Sequence, residues 1–454
     1  MPILNTMARA GNAARRIASY WRRFGWRATI IRLHVELQRR RGGVAEVQIA
    51  EPPLATMARP PRQHTSQLMP SPQGAEQLVE AVAPLRTYWV AARSRQRVTL
   101  VIDSIARGSL FGGAGTALIL AALLANRRGA DLRIITRTAP PAPSNVDQLW
   151  RINNIELDGE SQFVFAPRGD TNKEIDLLPD ELIVTTSWWT TAAALLTIPP
   201  AQIVYLLQED ERMFYLFGDV RLSCENVFRN QGIRFVINTQ VLKQHLINDG
   251  LSHLQRQACS FEPAFPASVY YPRAKTPGSK MRFVFYARPL NPRNLFFLGH
   301  EVITAAVARG VLDPKEWELI FVGRDVPDLQ YGTDCIPVKR ENLSWGDYAD
   351  LLGGADLGLS LMYTPHPSYP PLDMAASGAV VVTNRHGLKQ DLSHLSANII
   401  CCEPSCEDLV RALAQGVALA RDARQRQANH QSNTLQRDWR VSLGEVVEQI
   451  AGAR

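Results

Sequence analysis

From residue 98 onward, short apolar runs alternate with longer stretches of helical period. Val98-Thr-Leu-Val-Ile-Asp103 reads as a buried strand. A glycine-rich loop, Gly108-Ser-Leu-Phe-Gly-Gly-Ala-Gly115, a helix over 116–128 and a second strand at 132–136 follow it. Further strands are expected at 162–166, 182–186, 203–207 and 235–238, with a helix over 239–249. Phe261-Glu-Pro-Ala-Phe-Pro266 then breaks the pattern, and a second series begins. Its strands fall at 283–287, 318–322, 357–361 and 379–383, and its helices at 294–309, 344–353 and from 371. Parallel strands joined by helices predict two doubly wound α/β domains, over 96–262 and 263–440, with a ligand cleft between them. A last helix, over 441–452 within the segment 441–454, is expected to cross back to the first domain.

The first 95 residues follow other rules. Ile17, Trp21, Phe24, Ala28, Ile31 and Val35 recur at steps of four and three, which places them on one helical face. Ten arginines and one acid, Glu36, share residues 1–43, so this segment outweighs the whole chain's net charge of +7 and leaves the rest slightly acidic. A basic amphipathic helix of this kind suits either an anionic membrane surface or a protein surface. No unbroken apolar run marks a signal peptide or a span. Residues 44–95 comprise a Pro-rich linker, with six prolines within 52–72, and a short helix over 76–92. The near-neutral body argues against nucleic acid as a partner. The six scattered cysteines have no metal-ligand spacing, which fits reduced thiols in a cytoplasmic protein and predicts no metal site.

The chemistry concentrates in Tyr363-Thr-Pro-His-Pro-Ser-Tyr-Pro-Pro-Leu-Asp373, a Pro-rich turn running into a helix. Backbone N–H groups at such a helix start can hold phosphate or hydroxyl oxygens, and Asp373, placed in the first turn, can accept from sugar hydroxyls. Arg288 and Arg293 follow the first strand of the second domain and can neutralise a diphosphate. Gly112, Gly113 and Gly115 form either a ligand contact or a tight turn. Glu209, Asp210 and Glu211 follow the strand 203–207, where Glu209 and Asp210 are the candidates for catalytic work. Trp188 and Trp189 are either core or a platform for a sugar ring.

These motifs resemble the nucleotide-binding region of GT-B glycosyltransferases of family 4, in the branch with the WsaF-like rhamnosyltransferases and rhamnan-synthesis proteins. The resemblance covers roughly 97–440. It implies that Asp373 holds the ribose, that Arg288 and Arg293 clamp the diphosphate, and that Gly323 lies at the wall beside the base. The family carries a carboxylate eight positions before Asp373, where this chain has Pro365. Amides and side chains around His366, Ser368 and Tyr369 would then read the sugar. The implied activity is metal-independent transfer of a sugar, with dTDP-L-rhamnose the leading donor, onto a cell-surface polysaccharide or lipid-linked glycan, with retention. No cofactor is implied beyond the nucleotide-sugar substrate. Residues 1–43 would hold the enzyme at the inner face of the membrane. A UDP- or GDP-sugar donor, or a non-catalytic subunit that keeps the fold, remain alternatives.

Overall fold

A computed structural model describes residues 79–91, 94–106, 112–170, 172–333 and 335–452. The basic helix over 1–43, most of the linker and the start of the glycine loop lie outside the described residues. Two all-parallel sheets organise the rest. The first holds seven strands in the order β4-β3-β2-β6-β7-β8-β9: β2 (Arg97–Ile102), β3 (Asp131–Thr136), β4 (Ser161–Phe165), β6 (Leu182–Thr185), β7 (Ile203–Leu207), β8 (Arg234–Asn238) and β9 (Ala258–Phe261). The second holds six, in the order β12-β11-β10-β13-β14-β15. These are β10 (Met281–Ala287), β11 (Trp317–Gly323), β12 (Val338–Glu341), β13 (Leu357–Leu359), β14 (Val380–Asn384) and β15 (Ile399–Cys402).

Every residue of β2, β6, β7 and β14 is buried. That is why these strands read as continuous apolar runs rather than alternating ones: helices cover both faces of each sheet. In each sheet the strand order reverses once, between β2 and β6 in the first and between β10 and β13 in the second. The carboxyl ends of the strands flanking a reversal diverge and open a crevice, and the residues considered below cluster there.

One expected element is replaced. A helix over 76–92 is cut short after residue 81, and β1 (Arg86–Trp89) pairs instead with β5 (Glu174–Leu177). Pro84 cannot continue a helix, and Arg-Thr-Tyr-Trp has side chains that favour strand. No described helix is long and apolar enough to cross a membrane.

Helix α1 (Gly113–Arg127) fills the turn after β2 and is almost wholly buried along its length. Against it packs the helix that ends the described chain, α11 (Trp439–Gly452). Trp439, Leu443, Val446, Val447 and Ile450 share one core with Leu118, Ile119 and Ala122 of α1. Trp439 Nε1 donates to Asn153 Oδ1 at 3.0 Å. The chain therefore passes between domains twice, at 262–280 and again just before Trp439.

Charge inside the first sheet is paired. Glu181, 1% exposed, accepts from Arg97 Nε and Nη2 at 2.9 and 2.6 Å, from Arg133 Nη2 at 2.7 Å and from Leu178 N–H at 3.0 Å. Asp176 adds contacts of 2.9 Å to both arginines. Removing one member of such a buried network strands the others without partners. Glu181→Ala should therefore cost about 3–5 kcal/mol of unfolding free energy in urea titrations, and a loss below about 1 kcal/mol would contradict this reading of the network.

Candidate functional site

The crevices of the two sheets face each other and enclose a cavity of about 750 Å³. From the first domain it is lined by Gly112, Gly113, Gly115, Thr116, Gln208 and Glu209. From the second it is lined by Arg288, Arg293, Asn294, Gly323, His366, Ser368, Tyr369 and Asp373, among others. Of the candidates drawn from the sequence, Asp210 is missing from this wall, as are Glu211, Trp188 and Trp189.

The backbone around the cavity is unusual. Six described non-glycine residues have positive φ, and four lie on its wall or beside a residue that does: Leu295, Asp325, Asn342 and Ser368. Such conformations cost energy and persist where surrounding structure enforces them, most often at functional sites.

Glu209, Asp210 and Glu211 divide by direction. Asp210 turns inward, 2% exposed, and accepts from Arg212 Nε and Nη2 at 2.8 Å each. Burial would raise its carboxyl, but hydrogen bonds from Arg212 and His245 outweigh burial and bring it down to about 2. This corrects its assignment as a catalytic group: it is a locked ion pair away from the cavity. Glu211 is also buried; it accepts from Trp188 N–H at 2.8 Å, and burial pushes it up to about 8. Trp188 is core, at 2% exposure.

Glu209 alone of the three reaches the cavity. Its carboxylate stands 3.7 Å from Arg293 Nη1 and 3.7 Å from His366 Nδ1, both on the second domain. Burial pushes it above the usual carboxylate range, against the pull of Arg293, Thr364 and Lys389. Its Oε2 is buried without a hydrogen-bond partner, as is Arg293 Nη1. The Arg293 guanidinium also lies over the Phe214 ring, 3.9 Å from its centroid. Arg288 lines the same cavity.

His366 has a defined tautomer. Its Nδ1 accepts the Ser368 N–H at 2.9 Å, so the proton of the neutral ring sits on Nε2. Burial, with Lys389 and Arg293 nearby, lowers its pKa to about 3. The ring is therefore neutral at physiological pH and carries a buried N–H donor with no partner. Asn294, 1% exposed, uses its Nδ2 on Leu361 O at 3.2 Å, and its Oδ1 is likewise unpartnered. Nothing in the sequence marked Asn294 beyond its place beside Arg293.

The Pro-rich turn needs two corrections. Helix α8 (Tyr369–Ala376) begins at Tyr369, so Asp373 is its fifth residue rather than a first-turn acid. Nor does the turn form a ring of free amides: Pro367, Pro370 and Pro371 have no N–H, and the Ser368 N–H is taken by His366. His366 and Tyr369 keep the remaining backbone donors of the segment. Asp373, 5% exposed, accepts from the Tyr348 hydroxyl at 3.2 Å; burial raises its carboxyl to about 7 against hydrogen bonds from Tyr348 and Tyr270. Gly323 lines the cavity, yet a Cβ there would lie 1.7 Å from Ala287 O, so contact between β10 and β11 already demands glycine. The Tyr369 hydroxyl reaches into the first domain, 2.6 Å from Thr116 Oγ1.

The cavity thus offers a neutral donor at His366, cations at Arg288 and Arg293, and acceptors at Glu209, Asn294 and Asp373. Alternating donors and acceptors suit hydroxyl groups, and paired guanidiniums suit phosphate oxygens.

Comparison with known proteins agrees with this architecture. The family model described as the WsaF N-terminal domain matches residues 97–240, and that of the WsaF C-terminal domain matches 281–414. The O-antigen biosynthesis protein RfbC of Myxococcus xanthus is 29% identical over 214 residues, covering 47% of this chain and 16% of that protein. The match thus spans about a sixth of that relative. Among solved structures, the sucrose-phosphate synthase of Thermosynechococcus elongatus superposes with a TM-score of 0.54 at 13% identity, covering 79% of this chain and 100% of its own. Anabaena HepE in complex with UDP-glucose gives 0.54 at 14% identity, covering 78% and 100%. The fold is GT-B.

The protonation of Asp373 has a ligand-free consequence. Its raised pKa means the folded state holds the proton more tightly than the unfolded chain, so its contribution to stability is present at low pH and is lost as pH rises through about 7. Urea titrations at pH 4 and pH 8 should show Asp373→Asn gaining about 2–4 kcal/mol on the wild type across that interval. Parallel pH profiles would contradict the raised pKa.

Proposed function

Because the chain belongs to the WsaF family of GT-B glycosyltransferases, we propose that its cleft binds a nucleoside-diphosphate sugar and transfers the sugar to a glycan acceptor. The observation that carries this reading is the juxtaposition of the Arg288 and Arg293 guanidiniums with unpartnered buried donors and acceptors at His366, Asn294 and Glu209. The arginines take the diphosphate, Asp373 the ribose, and His366, Asn294 and Glu209 the hydroxyls of the sugar.

In the transfer, the bond between the anomeric carbon and the diphosphate oxygen breaks, and the acceptor hydroxyl forms the new bond to that carbon. Charge builds on the departing diphosphate, and Arg288 and Arg293 stabilise it where it develops. These two cations supply the positive charge that the step requires, so the reaction proceeds without an added metal. With retention, the departing phosphate oxygen takes the acceptor's proton on the same face of the sugar.

A non-catalytic subunit is the second reading, favoured by Pro365 standing where the family has a carboxylate. Glu209 weakens it, because the first domain brings a carboxylate to within 3.7 Å of the neighbouring His366. The finer assignments rest on the family and on the RfbC relative. The leading donor is dTDP-L-rhamnose and the acceptor a cell-surface polysaccharide or lipid-linked glycan, made at the inner face of the membrane.

Thermal-shift titration with dTDP, UDP, GDP and ADP in EDTA tests the reading. One diphosphate should raise Tm, and Arg288→Ala should weaken its binding about 10- to 100-fold, as loss of a charge-assisted phosphate contact does. No shift with any of the four would overturn the donor site.

A further inference from the structure

Tyr369 opens the helix that carries Asp373, yet its hydroxyl is committed to the opposite domain. It lies 2.6 Å from Thr116 Oγ1, accepts from Asn238 Nδ2 at 2.9 Å, and stands 3.4 Å from Gln208 Oε1. These partners come from three separate pieces of the first domain: α1, the end of β8 and the residue after β7. They also hold one another. Gln208 Nε2 donates to Gly113 O at 2.6 Å, Asn238 Nδ2 also donates to Gln208 Oε1 at 3.2 Å, and Thr116 Oγ1 donates to Gly112 O at 3.1 Å.

The backbone is shaped to admit the ring. Gly112 has φ of +63°, and a Cβ there would lie 3.3 Å from Tyr369 Cδ2. Ser368, which aims the tyrosine, has φ of +72°. Two positive-φ positions, one in each domain, thus serve the same contact: glycine adopts this φ freely, and Ser368 holds it at a steric cost. Gln208 directly precedes Glu209, so whatever fixes Gln208 also fixes where that carboxylate meets Arg293 and His366.

We propose that Tyr369 is a positioning residue: an interdomain clasp that ties the donor-binding turn of the second domain to the glycine loop and, through Gln208, sets Glu209 against the sugar. The clasp exists without ligand. Its effect on turnover rests on the reading of the cleft as a nucleotide-sugar site. Asn238 Oδ1 is already buried without a partner, so losing the tyrosine hydroxyl would leave this amide further under-satisfied and the loop free to part from the second domain.

Tyr369→Phe keeps the ring and removes the tie. Hydrogen exchange on the ligand-free protein should show amides of 112–117 and 205–210 exchanging at least fivefold faster than in the wild type. In turnover, kcat should fall about 10- to 100-fold while the Kd for the nucleoside diphosphate stays within threefold, because the second domain holds the nucleotide alone. Thr116→Val should reproduce both effects, and the double variant should be no worse than either single one, as for two halves of one interaction. Unchanged exchange would overturn the clasp whatever the activity. Kd and kcat worsening together, or additive effects in the double variant, would overturn the positioning role. Absence of nucleotide binding in the wild type would sink the functional reading and leave the exchange result to judge the clasp.

Discussion

A carboxylate from one domain and a guanidinium from the other face each other across 3.7 Å, beyond hydrogen-bond reach and within strong Coulomb range. The Glu209–Arg293 pair shapes much of the remaining site. Fully bonded, the two groups would satisfy each other, as Asp210 and Arg212 do a few residues away. Held apart, each keeps an unpartnered buried atom that a polyhydroxylated, phosphorylated ligand can satisfy. Buried polar atoms without partners are costly, and a protein that retains several in one corner spends stability there for binding.

The fold explains how the gap is kept. Glu209 extends from the end of β7 in the first sheet and Arg293 from the loop after β10 in the second. Each sheet is a parallel core, and the connections between them include the segment after β9, the return through α11, the Arg293 guanidinium over Phe214 and the Tyr369 hydroxyl. The return helix shares its core with α1, so the glycine loop at the start of α1 is anchored from behind while its front meets the tyrosine.

Much of this was legible in the chain. Strands buried on both faces announce themselves as continuous apolar runs, which is why β2, β7, β10, β11 and β14 lie where the pattern places them. Short edge strands did not: β12 is Val-Lys-Arg-Glu, partly exposed, and carries no hydrophobic signal. The residues after strand ends were singled out through the family resemblance and their place in the chain, and a doubly wound fold sends those positions into the crevice. What spacing could not resolve was direction. Glu209 and Asp210 are adjacent and both acidic, and only the packed structure shows one facing the cleft and the other locked onto Arg212. Gln208 and Thr116 take their meaning from Tyr369 across the domains, and Asn294 from an unpartnered Oδ1 in the cavity, which only the packed structure shows. The amide donors were overestimated for a chemical reason readable in the chain: Pro367, Pro370 and Pro371 have no N–H, and the Ser368 N–H is taken by His366.

The central claim is that a nucleoside-diphosphate sugar lies in this cleft with its phosphates on the two arginines of the second domain. A crystal structure of the full chain with dTDP or UDP, grown in EDTA, tests it most directly. The account predicts the diphosphate within hydrogen-bond distance of Arg288 and Arg293 and the ribose against Asp373. A nucleotide bound elsewhere, or phosphates turned away from both arginines, would contradict it.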